Sequence, residues 1–372
     1  MEIKKKAACC CQSGDCKPVT PVGCPGYVNP KGPQPFITGF LDTGAGQITL
    51  ISTRWNRADQ WWALKIRWGL GRMNYRVEPG LYGVGEPTKA SDVFVAANYK
   101  LSFDLLRRAL AGLHAWILVL DTKGINVWCA AGKGTFGTEE LVRRIELSGL
   151  KEVIEHRRLI VPQLGAVGVA AHEVKKQSGF SVIYGPVRAA DIPAFLGAGR
   201  RAEPGMRRVT FNFFDRLRVI PVEVGQGAKL LFLVMAAFAA ISGFSPAGYS
   251  LHWGEASAAA VNILVAYLAG NVLSPLLLPW VPGRSFSLKG AQVGLLAFIG
   301  VYLAGLAGKG TVPVLAWLLL IPALSSFLAM NYTGCSTYTS LSGVKKEMRL
   351  AVPLQMGGAA VGLVLWLVGR FI

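Results

Sequence analysis

Beyond Lys229 the sequence is dominated by long apolar windows, and no other feature constrains the fold as strongly. Windows of roughly 18 or more apolar residues are candidate membrane spans, because about 20 helical residues cross the hydrocarbon layer. Five qualify, at 229–246, 256–279, 290–308, 311–331 and 351–371, and they explain a hydrophobic fraction of 52%. The start, MEIKKKAACCC, has basic residues but no apolar run behind them, so it does not read as a secretory signal. Basic residues set the orientation. With the N-terminal part in the cytoplasm, the inner loops carry Arg284, Lys289, Lys345, Lys346 and Arg349, and the outer side only Lys309 and Arg370. The expectation is a multi-pass protein of the cytoplasmic (inner) membrane, with the lipid bilayer as a partner and the N-terminal domain facing the cytoplasm. Small-xxx-small patterns at Gly300/Ala304/Gly308 and Gly358/Gly362 predict close helix packing.

The whole chain reads as three pieces of different texture. Residues 1–35 are a Cys/Pro/Gly-rich arm, 36–223 a domain, and 224–372 the transmembrane domain. In the middle piece apolar runs alternate with helical patterns, as βαβ units in a largely parallel sheet do. The predicted strands are 36–41, 48–53, 93–98, 116–121, 159–162 and 181–184; the predicted helices are 59–72, 102–111, 138–147 and 169–177. Tryptophans 55, 61, 62 and 68 gather around one helix, a pattern of core or membrane-surface packing.

A net charge of +18 first suggests nucleic acid. No nucleic-acid motif accompanies it, so no nucleic-acid partner is expected. Arg200, Arg201, Arg207, Arg208, Arg216, Arg218 and Lys229 instead lead into the first apolar window, where anionic lipid gains about 1 kcal/mol per basic residue. Of seven cysteines, Cys9, Cys10, Cys11, Cys16 and Cys24 crowd the arm. They contain no C-x-x-C, so neither a cluster nor a zinc ribbon is spelled out; they read as an incidental tail or as a trap for soft cations.

The chemistry concentrates at 121–137, DTKGINVWCAAGKGTFG, between a strand and a helix. Gly132, Gly134 and Gly137 form G-x-G-x-x-G, with Glu155 near the acidic position of a dinucleotide site. Such glycines normally follow the strand directly, whereas here about ten residues intervene. A P-loop fails, because Lys133 is followed by Gly134. A lone cysteine is usually an inert buried residue. Cys129, however, precedes Ala130, Ala131 and Gly132, small residues that let a large flat ring approach, and Gly134 helps for the same reason. None of His114, His156, His172 and His252 has an Asp two residues before it, so the D-x-H-x-x-G cobalamin signature is missing. A second polar run, NYTGCSTYTSLSGV at 331–344, either lines an entrance or caps helix ends, and Cys335 in it is a secondary soft-metal candidate.

The segment NVWCAAGK at 126–133 resembles the cap motif of the corrinoid protein of microbial mercury methylation (HgcA family). Its flanks, ANYKLSFDLLRRAL, LIVPQLGAVGVAAHEVKKQSGF and VIYGPVRAADIPAFL, resemble the corrinoid-binding part of the large subunit of corrinoid iron–sulfur proteins. The resemblance covers roughly 36–223. It implies an α/β Rossmann-like corrinoid-binding domain followed by an all-α five-helix transmembrane domain. It also implies a cobalamin-type corrinoid with Cys129 as ligand to cobalt, held by Asn126, Val127, Trp128, Cys129, Ala130, Ala131, Gly132, Lys133 and Gly134. The implied reaction is methyl transfer to Hg(II), a corrinoid-dependent methyltransferase activity that forms methylmercury. A thiolate trans to the methyl would push electron density onto the metal and suit an electrophilic acceptor. The implied partners are a ferredoxin-like iron–sulfur reductase (HgcB type), a methyltetrahydrofolate-type donor or its methyltransferase, and a Hg(II)–thiolate substrate that the five N-terminal cysteines would pass along. Two features depart from the pattern: the five-cysteine arm is foreign to the mercury branch, and the cluster motif and barrel of the iron–sulfur branch are missing. The alternatives are a membrane-anchored methyl carrier of acetyl-CoA metabolism, a dinucleotide-binding protein, and a transporter. Against transport, the spans hold no Asp, Glu, Lys or Arg near mid-membrane apart from their ends and loops, and polar Asn262 and Asn271 alone do not make a pathway.

Overall fold

The computed structural model describes residues 35–336 and 341–372. Cys9, Cys10, Cys11, Cys16 and Cys24 therefore lie outside the described residues. The chain divides into two compact units. One holds the described residues up to Ile66 together with Gly71–Val209; the other holds Arg67–Leu70 and Thr210–Ile372. The division falls earlier than the expected boundary at 223, because the first long helix already starts at Phe213.

The first unit is a mixed α/β domain. Its seven strands are β1 (Ile37–Thr43), β2 (Gly46–Ile51), β3 (Gly80–Val84), β4 (Val93–Ala97), β5 (Ala115–Leu120), β6 (Arg158–Val161) and β7 (Ser181–Tyr184). They form one sheet in the order β1-β2-β3-β5-β4-β6-β7. Strands β5, β4, β6 and β7 are mutually parallel. The pairs β1/β2 and β3/β5 are antiparallel, so the sheet is mixed where a largely parallel one was expected. Strand β3 escaped the sequence reading because Gly80 and Gly83 break its apolar run. Gly83 is needed there, since a Cβ would stand 2.7 Å from the Leu50 side chain.

The helices of this unit are α1 (Arg57–Arg67), α2 (Lys100–Ala109), α3 (Val127–Gly132), α4 (Thr138–Leu147), α5 (Leu150–Val153), α6 (Ala171–Ser178) and α7 (Ile192–Gly197). Side chains alternate along a strand, and here both faces are used. Val93, Val95, Leu118 and Leu120 pack against α3 to α6. Phe94, Ala96, Ile117 and Val119 pack against α2 and α7. Double coverage is why β5, AWILVL, is buried at every position and reads as a continuous apolar run.

An ion cluster joins α1 to α2. Lys100 Nζ lies 2.6 Å from Asp104 and 3.2 Å from Asp59, and Arg107 lies 2.7 Å from each of the same carboxylates. All four side chains are buried. The Arg107 guanidinium also donates to the carbonyls of Ser52 and Arg54 at 2.7 and 2.9 Å. Of the clustered tryptophans, Trp55 donates to the Asp104 carbonyl and Trp62 stacks on Tyr75, while Trp61 and Trp68 stay exposed.

The second unit is helical: α8 (Phe213–Ile241), α9 (Trp253–Leu268), α10 (Ser274–Leu277), α11 (Phe286–Leu303), α12 (Thr311–Met330) and α13 (Leu341–Val368). A π-helical turn, Ala269–Leu273, joins α9 to α10. Five stretches are long and apolar enough to cross a membrane: Phe213–Ile241, Trp253–Leu277, Phe286–Leu303, Thr311–Gly334 and Ser342–Val368. The first begins well before the expected 229. Asn212 and Asp215 cap it reciprocally, at 3.0 Å for Asp215 N–H to the Asn212 side chain and 3.3 Å for the return bond.

Close packing differs from expectation in detail. Gly362 does pack tightly, its would-be Cβ 2.9 Å from Leu320, but Gly300 faces open space. The tight contacts on α11 come from Gly290 and Gly294, another small-xxx-small pair; added Cβ atoms would stand 2.5 Å from Ala329 and 2.7 Å from the Pro322 backbone. Asn262 donates to the Leu306 carbonyl at 2.9 Å, so it serves helix packing. The basic run is also partly spoken for: Arg200 forms a two-pronged pair with Asp92, and buried Arg216 donates to the Phe211 carbonyl.

Candidate functional site

The α/β unit carries a cavity of about 350 Å³ at the carboxyl ends of its parallel strands. Its place follows from chain order. From β4 the chain moves to β5 on one side, then returns past β4 to β6 on the other. Loops leaving neighbouring strands in opposite directions open a crevice at such a switch point, where open α/β sheets bind ligands. Four segments line it: the end of β4 with Ser102 and Leu105 of α2, Asn126 to Trp128, Pro162 and Leu164 after β6, and Gly185 to Val187 after β7.

Helix α3 sits at the rim. Asn126 is its N-cap, and its side-chain oxygen accepts from the Cys129 N–H at 2.9 Å. Asparagine in that position is a preferred helix start, so the cap was readable from sequence. Val127, Ala130 and Ala131 recur at helical spacing and are buried, which fixes one face of α3 on the core. The opposite face presents Trp128, Cys129 and Gly132 outward. The helix ends at Gly132 with Lys133 as its C-cap, Gly134 (φ 79°) turns the chain away, and Phe136 then anchors it in the core with no exposure.

The nine expected site residues thus part into four groups. Asn126, Val127 and Trp128 line the cavity. Cys129 is next to them, exposed and, among the described residues, without a disulfide partner. Gly132, Lys133 and Gly134 continue outward, and an added Cβ at either glycine would meet nothing. Ala130 and Ala131 face inward instead, so their small size serves packing and not the approach of a ring. The reason is Gly168, whose would-be Cβ would stand 2.1 Å from the Phe136 carbonyl oxygen and 3.1 Å from the Ala131 Cα.

The glycine pattern does not make a dinucleotide turn. Strand β5 ends at Leu120, α3 intervenes, and Gly137 only caps α4, where a Cβ would lie 2.8 Å from the Gly134 carbonyl oxygen. No histidine lines the cavity. His114 accepts from the Glu86 N–H and His156 bonds the Ser91 carbonyl. The polar run at 331–344 lies partly outside the described residues. Of its described hydroxyls, Thr333 donates to the Met330 carbonyl and Tyr332 to that of Asn271, both structural bonds.

Sequence reasoning missed the cavity as such. Its signal lay in the flanking segments, because 97–110, 159–180 and 182–196 each contribute wall residues beside α3.

Comparison with known proteins matches residues 69–196 to the family of the CO dehydrogenase/acetyl-CoA synthase delta subunit. That stretch contains β3 to β7 and Cys129, and ends before the helical unit begins. The chain is 33% identical over 122 residues to the acetyl-CoA decarbonylase/synthase complex subunit gamma of Methanopyrus kandleri, covering 32% of this chain and 26% of the relative. The same subunit of Archaeoglobus fulgidus is 30% identical over 127 residues, or 34% and 27% of the two chains. The corrinoid/iron-sulfur protein large subunit of Moorella thermoacetica is 30% identical over 125 residues, or 33% and 28%. The chain therefore spans little more than a quarter of these relatives' length. The expected likeness to corrinoid iron–sulfur large subunits is borne out over this stretch. The relatives' names belong to the acetyl-CoA side of the resemblance and not to its mercury side.

Proposed function

We propose that this chain is a membrane-anchored corrinoid protein of methyl transfer, in which Cys129 would supply a sulfur ligand to cobalt. The observation that carries the reading is convergence. Four segments far apart in sequence meet at one cavity, and the exposed thiol of Cys129 stands beside it on a helix rooted in the core. The residues fit such a group. The walls are mostly apolar, no histidine among them competes for a metal, and the space over Gly132 and Gly134 is open. Trp128, Cys129 and the open-faced Gly132 and Gly134 would hold the group beside this cavity of about 350 Å³.

When bound, the corrinoid supplies a methyl group carried on cobalt. The work of the chain is to hold and orient. Val127, Ala130 and Ala131 root α3, Asn126 caps it, and Trp128 walls the mouth. Cys129 presents a soft sulfur donor, which pushes electron density toward a metal more strongly than imidazole does. That suits an electrophilic acceptor, and we take Hg(II), delivered as a thiolate complex, as that acceptor. Reducing equivalents would come from a ferredoxin-like iron–sulfur protein, and the methyl group from a methyltetrahydrofolate-type donor. The five long apolar helices would place the α/β unit at the inner face of the cytoplasmic membrane.

The second reading keeps the corrinoid but makes the chain a methyl carrier of acetyl-CoA metabolism. The names of the matched relatives favour it. One experiment separates the two. Full-length protein is loaded anaerobically with corrinoid and a methyl donor, then given a mercuric thiolate, beside Cys129→Ala. Methylmercury from the wild type, at least tenfold less from the variant with corrinoid retained, is the expected result. Corrinoid bound without methylmercury would move the assignment to the carrier. Failure to bind corrinoid would end both readings.

A further inference from the structure

The geometry assigns Asn98 as the positioning residue that sets where Cys129 stands. Asn98 follows β4 and is 1% exposed. Its side-chain oxygen accepts from Thr122 N–H at 3.1 Å and Gly124 N–H at 2.9 Å, and lies 2.9 Å from the Thr122 hydroxyl, whose single hydrogen it shares with the Ile125 carbonyl at 2.7 Å. Its amide nitrogen donates to Asp121 Oδ1 at 3.1 Å. Its backbone is committed as well, the N–H donating to Leu120 and the carbonyl accepting from Val77, both at 3.0 Å. One side chain just after β4 therefore holds Asp121, Thr122 and Gly124 of the segment that delivers the chain to Asn126.

That segment needs holding. Lys123 and Gly124 both have positive φ, 57° and 74°, and Ile125 N–H donates to the Thr122 carbonyl at 3.1 Å, so 122–125 form a tight turn of the primed kind. A lysine in the left-handed region is disfavoured and persists only where its surroundings over-determine it. Gly124 cannot be replaced, since a Cβ would stand 2.6 Å from the Arg76 side chain. On the far side of the loop, Asp121 N–H donates to Glu140 on α4 at 2.8 Å. The loop is thus gripped from β4 and from α4, and α3 starts right after the turn. Losing the Asn98 side chain leaves buried donors unpaired and releases the strained turn, so Asn126 and Cys129 shift together relative to the cavity. Nothing in the Asn98 side chain reaches the cavity, so it acts only through the turn.

This inference rests on the corrinoid reading for its function, but its structural half is tested without cofactor. Amide hydrogen exchange in 121–132 is compared for wild-type full-length protein, Asn98→Ala, Asn98→Asp, and Asn98→Asp combined with Asp121→Asn. The double variant reverses the donor and acceptor of the 98–121 pair while keeping an oxygen for the loop donors. Exchange at least tenfold faster in Asn98→Ala, unchanged exchange in 138–147, and recovery in the double variant are expected. Unchanged exchange in 121–132 would overturn the inference. On corrinoid-loaded protein, the electron paramagnetic resonance of the reduced cobalt reports whether sulfur is its ligand. Wild type and double variant should share one sulfur-ligand signature; Asn98→Ala, with corrinoid retained, should show a mixed or sulfur-free one. A wild-type signature in Asn98→Ala would overturn the positioning role even if the loop had loosened. A wild type that binds no corrinoid would sink the functional reading instead, and the exchange result would still stand for or against the clamp.

Discussion

The two units hold cavities built on opposite principles. In the α/β unit the cavity of about 350 Å³ lies where strand ends and their loops meet, and its wall is assembled from four separate segments. In the helical unit a cavity of about 430 Å³ lies along the flanks of α11, α12 and α13. There the polar groups bind one another: Gln355 donates to Ser326, Ser326 to the Ser287 carbonyl, and Ser287 N–H to Glu347, at 2.8, 2.8 and 2.6 Å. Loops leave strand ends with side chains and backbone free to face a ligand, whereas regular helices consume their own backbone groups and spend side chains on helix contacts. The difference explains why chemistry is proposed for the first cavity and anchoring for the second unit.

The comparison breaks first at the ion cluster. Removing one member of a buried, mutually paired set strands the others, which costs about 3–5 kcal/mol. Arg107→Met should therefore destabilise the α/β unit by that amount and leave the helical unit unchanged. Denaturant titration followed by limited proteolysis, which scores the two units separately, checks this. Equal loss in both units would show that they unfold as one.

A smaller effect is expected at Gly294. A side chain there meets the Pro322 backbone at 2.7 Å and the Ser325 Cβ at 2.8 Å, and overpacking of this kind costs about 1–3 kcal/mol. Gly294→Val should lower resistance of the helices to dodecyl sulfate while the thermal midpoint of the α/β unit holds. Gly300→Val, facing open space, should do neither.

The smallest effect concerns pH. Burial pushes the Glu78 carboxyl above its ordinary value of 4.5. A carboxyl raised in the folded state favours folding below its unfolded value, and that contribution is lost as pH rises through the folded value. Glu78→Gln should thus raise the thermal midpoint at pH 7 and change it little at pH 4, in the α/β unit only. A midpoint difference that is the same at both pH values would contradict the assignment.

Much of this architecture was legible locally. Strands β4 to β7 and helix α4 fall where alternation and N-terminal acidic residues put them, because those signals reside in the elements themselves. Element β3 did not, since Gly80 and Gly83 are chosen for the neighbours they touch and not for strand propensity. The early start of α8 was written as Asn212 and Asp215, but an apolar window does not register a capping pair. At the site, the Trp128-Cys129 motif pointed to α3, which stands beside the cavity. The burial of Ala130 and Ala131 was not readable, because it depends on Gly168, which comes from a distant loop.

By itself, then, the sequence determined most of the strands, the long apolar helices, and where Cys129 sits in a run of small residues. These are properties of periodicity and composition within a dozen residues. Only the tertiary structure decided which face of α3 looks outward, which loops surround it, and that Asn98 grips the turn leading to it. Those follow from the strand order β5-β4-β6-β7, which brings distant segments to one sheet edge. No local pattern encodes that order, because it is selected by burying both faces of the sheet at once.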